Sequence, residues 1–217
     1  MDRAFYRTLQ ALALVVVFSG PASAADDPIR DKAIKLNQTT GTSAMAARLT
    51  EMIKDEAGTK KLLATAAKMV KDEKPNPLNY NACFILAKAA QLQKDADTAL
   101  VFYRVCSQEA TKIGSASKII DVYNGMVDLY VATKKYDEAI SATREFLDIQ
   151  IEDIDNPINQ EKPFMLEKQI LATAKKGKID DALKMTENLI EKDEGGWYFV
   201  RLKAEVLREA EKYGDAA

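Results

Sequence analysis

The sequence predicts an all-α fold, an α-solenoid of antiparallel helix pairs, on three observations. Helix formers dominate the 217 residues, which include only 9 glycines and 6 prolines. One turn chemistry returns four times: Lys94-Asp95-Ala96-Asp97-Thr98-Ala99-Leu100, Lys134-Lys135-Tyr136-Asp137-Glu138-Ala139-Ile140, Gly177-Lys178-Ile179-Asp180-Asp181-Ala182-Leu183, and Lys212-Tyr213-Gly214-Asp215-Ala216. In each, a helix breaks and a second helix restarts on acidic and small residues. The third observation is the spacing of these turns. Ala182 and Ala216 are 34 residues apart, Ala99 and Ala139 are 40 apart, and Ala139 and Ala182 are 43 apart. A near-constant period marks a stacked repeat, and each excess falls in a loop, at 113–117 or 153–157, where insertion leaves helix packing unchanged.

Residues 1–24 stand outside this fold. Arg3 and Arg7 precede an apolar run at 11–18, Gly20-Pro21 ends it, and Ala22-Ser23-Ala24 forms an A-x-A cleavage site. The segment reads as a secretory signal cleaved before Ala25, so the protein is expected to be periplasmic or extracellular. The junction has no cysteine for lipid attachment. No later stretch is apolar for long enough to span a membrane.

Residues 25–41 read as a poorly ordered segment with a short helix near 29–36, started by Asp27-Pro28. The sequon Asn37-Gln38-Thr39 reads as a chance match. Thr42-Ser43 is expected to cap a helix to residue 54 that carries Met45, Leu49, Met52 and Ile53. Gly58-Thr59 is expected to open a second helix to residue 71, with Leu62, Leu63, Ala66, Met69 and Val70. Together, 42–77 form a degenerate helical hairpin closed by Pro75 and Pro77.

Residues 78–217 carry the repeats, at about 78–112, 116–150 and 162–193, with an incomplete copy at 197–217. Leu86-Ala87, Ala90, Ala99 and Tyr103 in the first copy resemble the tetratricopeptide pattern W-x2-L-G-x2-Y…A-x3-F. Met126-Val127, Tyr130, Tyr136 and Ala139 follow it in the second copy, Gly177, Ile179 and Ala182 in the third, and Ala204, Leu207, Tyr213 and Ala216 in the fourth. Small residues suit the helix crossings, because helix axes pack about 8–10 Å apart and the lower end of that range requires Ala or Gly. Asp97, Asp137, Glu138, Asp180 and Asp181 fall in first turns, where they oppose the helix dipole.

Chemistry is scarce. The chain has no histidine, which excludes His-based acid-base catalysis, His metal sites and Ser-His or Cys-His pairs. No glycine loop is built for phosphate, and Gly195-Gly196 is an isolated break before Trp197. If Asp153 were the first ligand of a calcium loop, Ile158 would stand where glycine is needed and Phe164 where glutamate is needed. Asp128 and Glu167 could line a groove, but no spacing marks an acid-base pair. Tyr123, Tyr130, Trp197 and Tyr198 read as packing residues. No enzyme activity, cofactor or metal is expected. A net charge of −2 argues against nucleic-acid binding. Cys83 and Cys106 come towards one level on antiparallel helices, and the sequence leaves open a disulfide or two buried thiols.

In tetratricopeptide proteins the first helices of successive pairs line a concave face that binds an extended peptide or a partner helix. The resemblance places Asn81, Phe84, Lys88, Asp121, Asn124, Asp128, Tyr198, Arg201 and Glu205 on that face. They lack the arrangement with which family members clamp a C-terminal carboxylate. The expected function is a non-catalytic interaction scaffold with a protein or peptide partner. Two alternatives are a recruitment module of a larger enzyme or secretion assembly and a self-assembling structural protein.

Overall fold

The computed structural model describes residues 27–192 and 197–214. The signal-like segment and the last three residues lie outside these. Among the described residues the chain is all-helical, with ten α-helices, one 3-10 turn and no strand.

The first three helices are α1 (Pro28–Lys35), α2 (Thr42–Lys54) and α3 (Glu56–Asp72). The short helix expected near 29–36 is α1, capped by Asp27 with Pro28 in its first turn; the 3-10 turn Leu36–Gln38 follows it, and Ala33 and Leu36 are buried. Long-range bonds hold this segment in place. Arg30 pairs with Glu73 at 2.9 Å, and the Asn37 side chain donates to the Pro77 carbonyl and accepts from the Asn79 N–H. The sequon asparagine is thus occupied structurally. Two start signals also differ from expectation. Gly41 precedes α2 without a side-chain cap, and Asp55 caps α3 by accepting from the Gly58 N–H at 2.9 Å. A carboxylate at the N-cap satisfies an otherwise orphaned donor, which Gly58 itself cannot do.

The repeat region comprises α4 (Tyr80–Leu92), α5 (Ala96–Ile113), α6 (Ala116–Ala132), α7 (Tyr136–Leu147), α8 (Pro157–Lys175), α9 (Ile179–Lys192) and α10 (Trp197–Gly214). Helices adjacent in sequence pack against each other in pairs, with α4 on α5, α6 on α7, α8 on α9 and α9 on α10. Every second helix also touches along part of the chain, as α2 does α4, α3 does α5, α6 does α8 and α8 does α10.

The three described turns within pairs share one geometry. Lys94, Lys134 and Gly177 all have left-handed backbone, with φ of 60°, 58° and 86°. In each turn two N–H groups fold back on the preceding helix: Asp95 to the Ala90 carbonyl, Lys135 to Tyr130 and Lys178 to Thr173 form the longer bonds, at 2.9, 2.8 and 3.2 Å. This double closure satisfies carbonyls that a helix end leaves open. Each restart has the expected acidic first turn, and Ala99, Ala139 and Ala182 are fully buried beside it. Successive turns are tied by Lys135 to Asp97 at 2.7 Å and by Lys176 to Asp137. These pairs are exposed, so they fix register more than they add stability.

The third pair begins earlier than the expected residue 162. Asn156 caps α8 by accepting from Ile158, and Pro157 occupies the first turn, so the second proline, Pro163, lies inside the helix. The acidic loop before it is exposed and closed by its own hydrogen bonds, including Asp155 N–H to the Asp153 carboxylate.

Most of the core is one continuous cluster running from Ala33 to Ala172. A smaller one joins Ile170 and Ala174 of α8, Ala182 of α9, and Leu202 and Val206 of α10. Helix α8 therefore contributes to both. Among the described residues no helix is long and apolar enough to cross a membrane.

Candidate interaction surface

The expected partner-binding residues lie on α4, α6 and α10; polar contacts join α6 to α10 through α8, and a cation–π contact joins α4 to α6. On α4, Phe84 stacks on Tyr80 with ring centroids 5.5 Å apart and meets Tyr103 of α5 edge-on at 6.3 Å. The Lys88 ammonium lies over both Phe84 and Tyr103, at 5.5 and 5.7 Å from the ring centres. Lys118 of α6 covers the Tyr80 ring at 4.7 Å, which links α6 to α4 by a cation–π contact. Asn81 is half-buried at the start of α4.

Asp121 is the electrostatic centre of α6. Partial burial raises its pKa, Lys88 opposes the shift and Glu161 of α8 adds to it. One turn along, the Asn124 amide donates to the Glu161 carboxylate at 2.8 Å. Asp128 pairs with Lys168 of α8 at 2.6 Å. On the far side of α8, Glu167 accepts from the Tyr198 hydroxyl and pairs with Arg201 of α10 at 3.5 Å. The Arg201 guanidinium also lies over the Tyr198 ring, 5.3 Å from its centre. Burial and the Glu167 hydrogen bond push the Tyr198 phenol up to about 12. Glu205 has no ion pair among the described residues.

Of the nine expected residues, Phe84, Lys88, Asn124, Asp128, Tyr198 and Arg201 make these contacts and Asp121 lies near Lys88 and Glu161, whereas neither Asn81 nor Glu205 bridges helices among the described residues. The sequence reading named Glu167 of α8 as a groove carboxylate but missed α8's bridges to α6. Glu161 and Lys168 bridge to α6, and Phe164 lies between them on the same side of the helix, 53 % exposed. The signal was available in their spacing of three and four residues, but placing the third repeat's start at 162 obscured it.

Cys83 and Cys106 are free thiols, fully buried between α4 and α5. Their sulfurs lie 3.9 and 3.7 Å from the Leu78 and Tyr80 carbonyls. Burial pushes the Cys106 thiol well up and neighbouring Cys83 adds to the shift, which disfavours a nucleophilic thiolate.

Among the described residues the protein is all-helical and presents a polar, two-signed face that includes the exposed Phe164. No family model, curated protein or solved structure matches the chain.

Proposed function

We propose that the protein is a non-catalytic interaction scaffold of the cell envelope or secreted space. In this reading it is a tetratricopeptide-like solenoid that binds a peptide or partner helix on the face of α4, α6, α8 and α10. The contacts between alternate helices and the repeated turn geometry support the stack. The observation that carries the function is the polar bridging of α6 to α8 and of α8 to α10 around exposed Phe164. Salt bridges orient the acceptors and donors, while the aromatic side chain supplies the apolar contact that usually anchors an interface.

A photoreactive residue at position 164 of the full chain is expected to capture a protein from an envelope extract, and one at Gln108 of α5 is not. Excess unlabelled protein should compete, and charge reversal at Asp128 and Arg201 should abolish the adduct. Equal capture at both positions, or capture indifferent to those charges, would reject the surface.

Export rests on the pattern of residues 1–24. N-terminal sequencing of protein from its native source is expected to begin at Ala25. An intact Met1 would place the scaffold elsewhere.

The self-assembling alternative has one observation in its favour. Trp197, Val200 and Leu207 leave apolar area exposed on α10, where a second copy or a larger assembly could cover it.

A further inference from the structure

On the opposite helices, α7 and α9 form the walls of a groove of about 490 Å³ with α8 as its floor. That volume lies within the usual small-molecule range, and none of the expected partner-binding residues lines the groove. Four cations surround it: Arg144, Lys176, Lys178 and Lys184. The two carboxylates at its edge are already engaged, Asp137 by Lys176 and Asp181 by Lys178 at 3.6 Å. Arg144 on one wall and Lys184 on the other have no carboxylate partner among the described residues.

The floor supplies an independent observation. Gln169 is only 6 % exposed, yet its side-chain amide makes no hydrogen bond to a described residue. No fully enclosed polar side-chain atom lacks a partner among the described residues, so the amide is not sealed from solvent, and Gln169 lines the groove. An amide held in the floor with donor and acceptor both unused by the protein is available to a guest in the groove. Thr173 beside it donates its hydroxyl to the Gln169 backbone carbonyl, which leaves the side-chain amide as the floor's free donor.

We propose that this groove binds a small, doubly charged oxyanion, with Arg144 and Lys184 neutralising it from opposite walls and the Gln169 amide donating to an oxygen. Arg144 offers a planar fork suited to carboxylate or phosphate, and Lys184 a point charge. The shared chemistry is two negative charges carried by oxygens of one small anion, whether a phosphate or a short dicarboxylate.

The test is a titration of the full chain with inorganic phosphate and, separately, malonate, against sodium chloride at matched ionic strength. The Gln169 side-chain amide resonance is followed by NMR. A saturable shift with either anion, absent with chloride, is expected, and the tighter anion identifies the class. Arg144→Met and Lys184→Met, both at exposed positions, should each weaken binding by about tenfold, since each removes a charge-assisted hydrogen bond. Gln169→Leu should weaken it less while leaving all charges in place. Equal shifts with chloride, or affinities unchanged in all three variants, would show a diffuse basic surface and overturn the proposal. The groove and the α4–α10 surface share no named residue, so either can fail alone.

Discussion

Replacing Gly125 with alanine is expected to destabilise the protein, although alanine is the better helix former by about 1 kcal/mol. Gly125 lies fully inside α6, and a Cβ built there would sit 2.7 Å from Cζ and from the hydroxyl of Tyr103. Tyr103 is fully buried, and its hydroxyl donates to Gln91 at 3.1 Å. Its ring also supports Phe84 and Lys88, so it has no free direction in which to retreat. Overfilling a packed site of this kind costs about 1–3 kcal/mol, and the helix-propensity gain offsets only part of that. Tyr103→Leu should cost stability through its own cavity, but the double variant should be less destabilised than the two singles summed, by about 1 kcal/mol or more. Chemical denaturation of the four proteins measures this coupling. Strict additivity would mean that Gly125 is not there for the Tyr103 ring.

Gly125 also shows where sequence reasoning stops. A lone glycine inside a helical pattern signals either weak propensity or a close approach, and only the partner ring distinguishes them. The repeated turns were legible because their chemistry is local: a break, an acidic first turn and a small residue lie within seven positions. Even there, Lys94 and Lys134 adopt left-handed backbone without glycine to announce it. Helix α1 was legible in Asp27-Pro28, but its anchoring was not, because that depends on Arg30 meeting Glu73 and on Asn37 meeting Pro77 and Asn79, more than forty positions away in most cases. The candidate surface was half legible. Spacing carried over from the resemblance placed residues of α4, α6 and α10, but the bridges depend on α8, whose start Asn156 and Pro157 set earlier than the second proline suggested. The anion groove had no sequence signal, since Arg144, Gln169 and Lys184 come from three helices and converge only through packing.

The largest local effect is expected from Leu202→Ala. Leu202 is 1 % exposed and, with Val206 and Ile170, supplies the large side chains of the small cluster that holds α9 and α10 to α8. Truncating such a buried leucine costs about 2–5 kcal/mol, through lost transfer energy and the cavity left behind. The main cluster, from Ala33 to Ala172, spreads its burial over seven preceding helices and part of α8, whereas the fully buried side chains of α10 belong to the smaller cluster. A loss of that size therefore exceeds what the terminal helices can absorb, while the larger cluster retains its own contacts. The physical expectation is a separately opening unit. Hydrogen exchange should show α10 and the second half of α9 losing protection in Leu202→Ala, with α4 to α6 unchanged, and the exposed stripe of Trp197, Val200 and Leu207 should then add to a sticky, aggregation-prone end. Uniform loss of protection across the chain would show that the two clusters unfold as one, and unchanged protection throughout would show that Leu202 does not anchor α10.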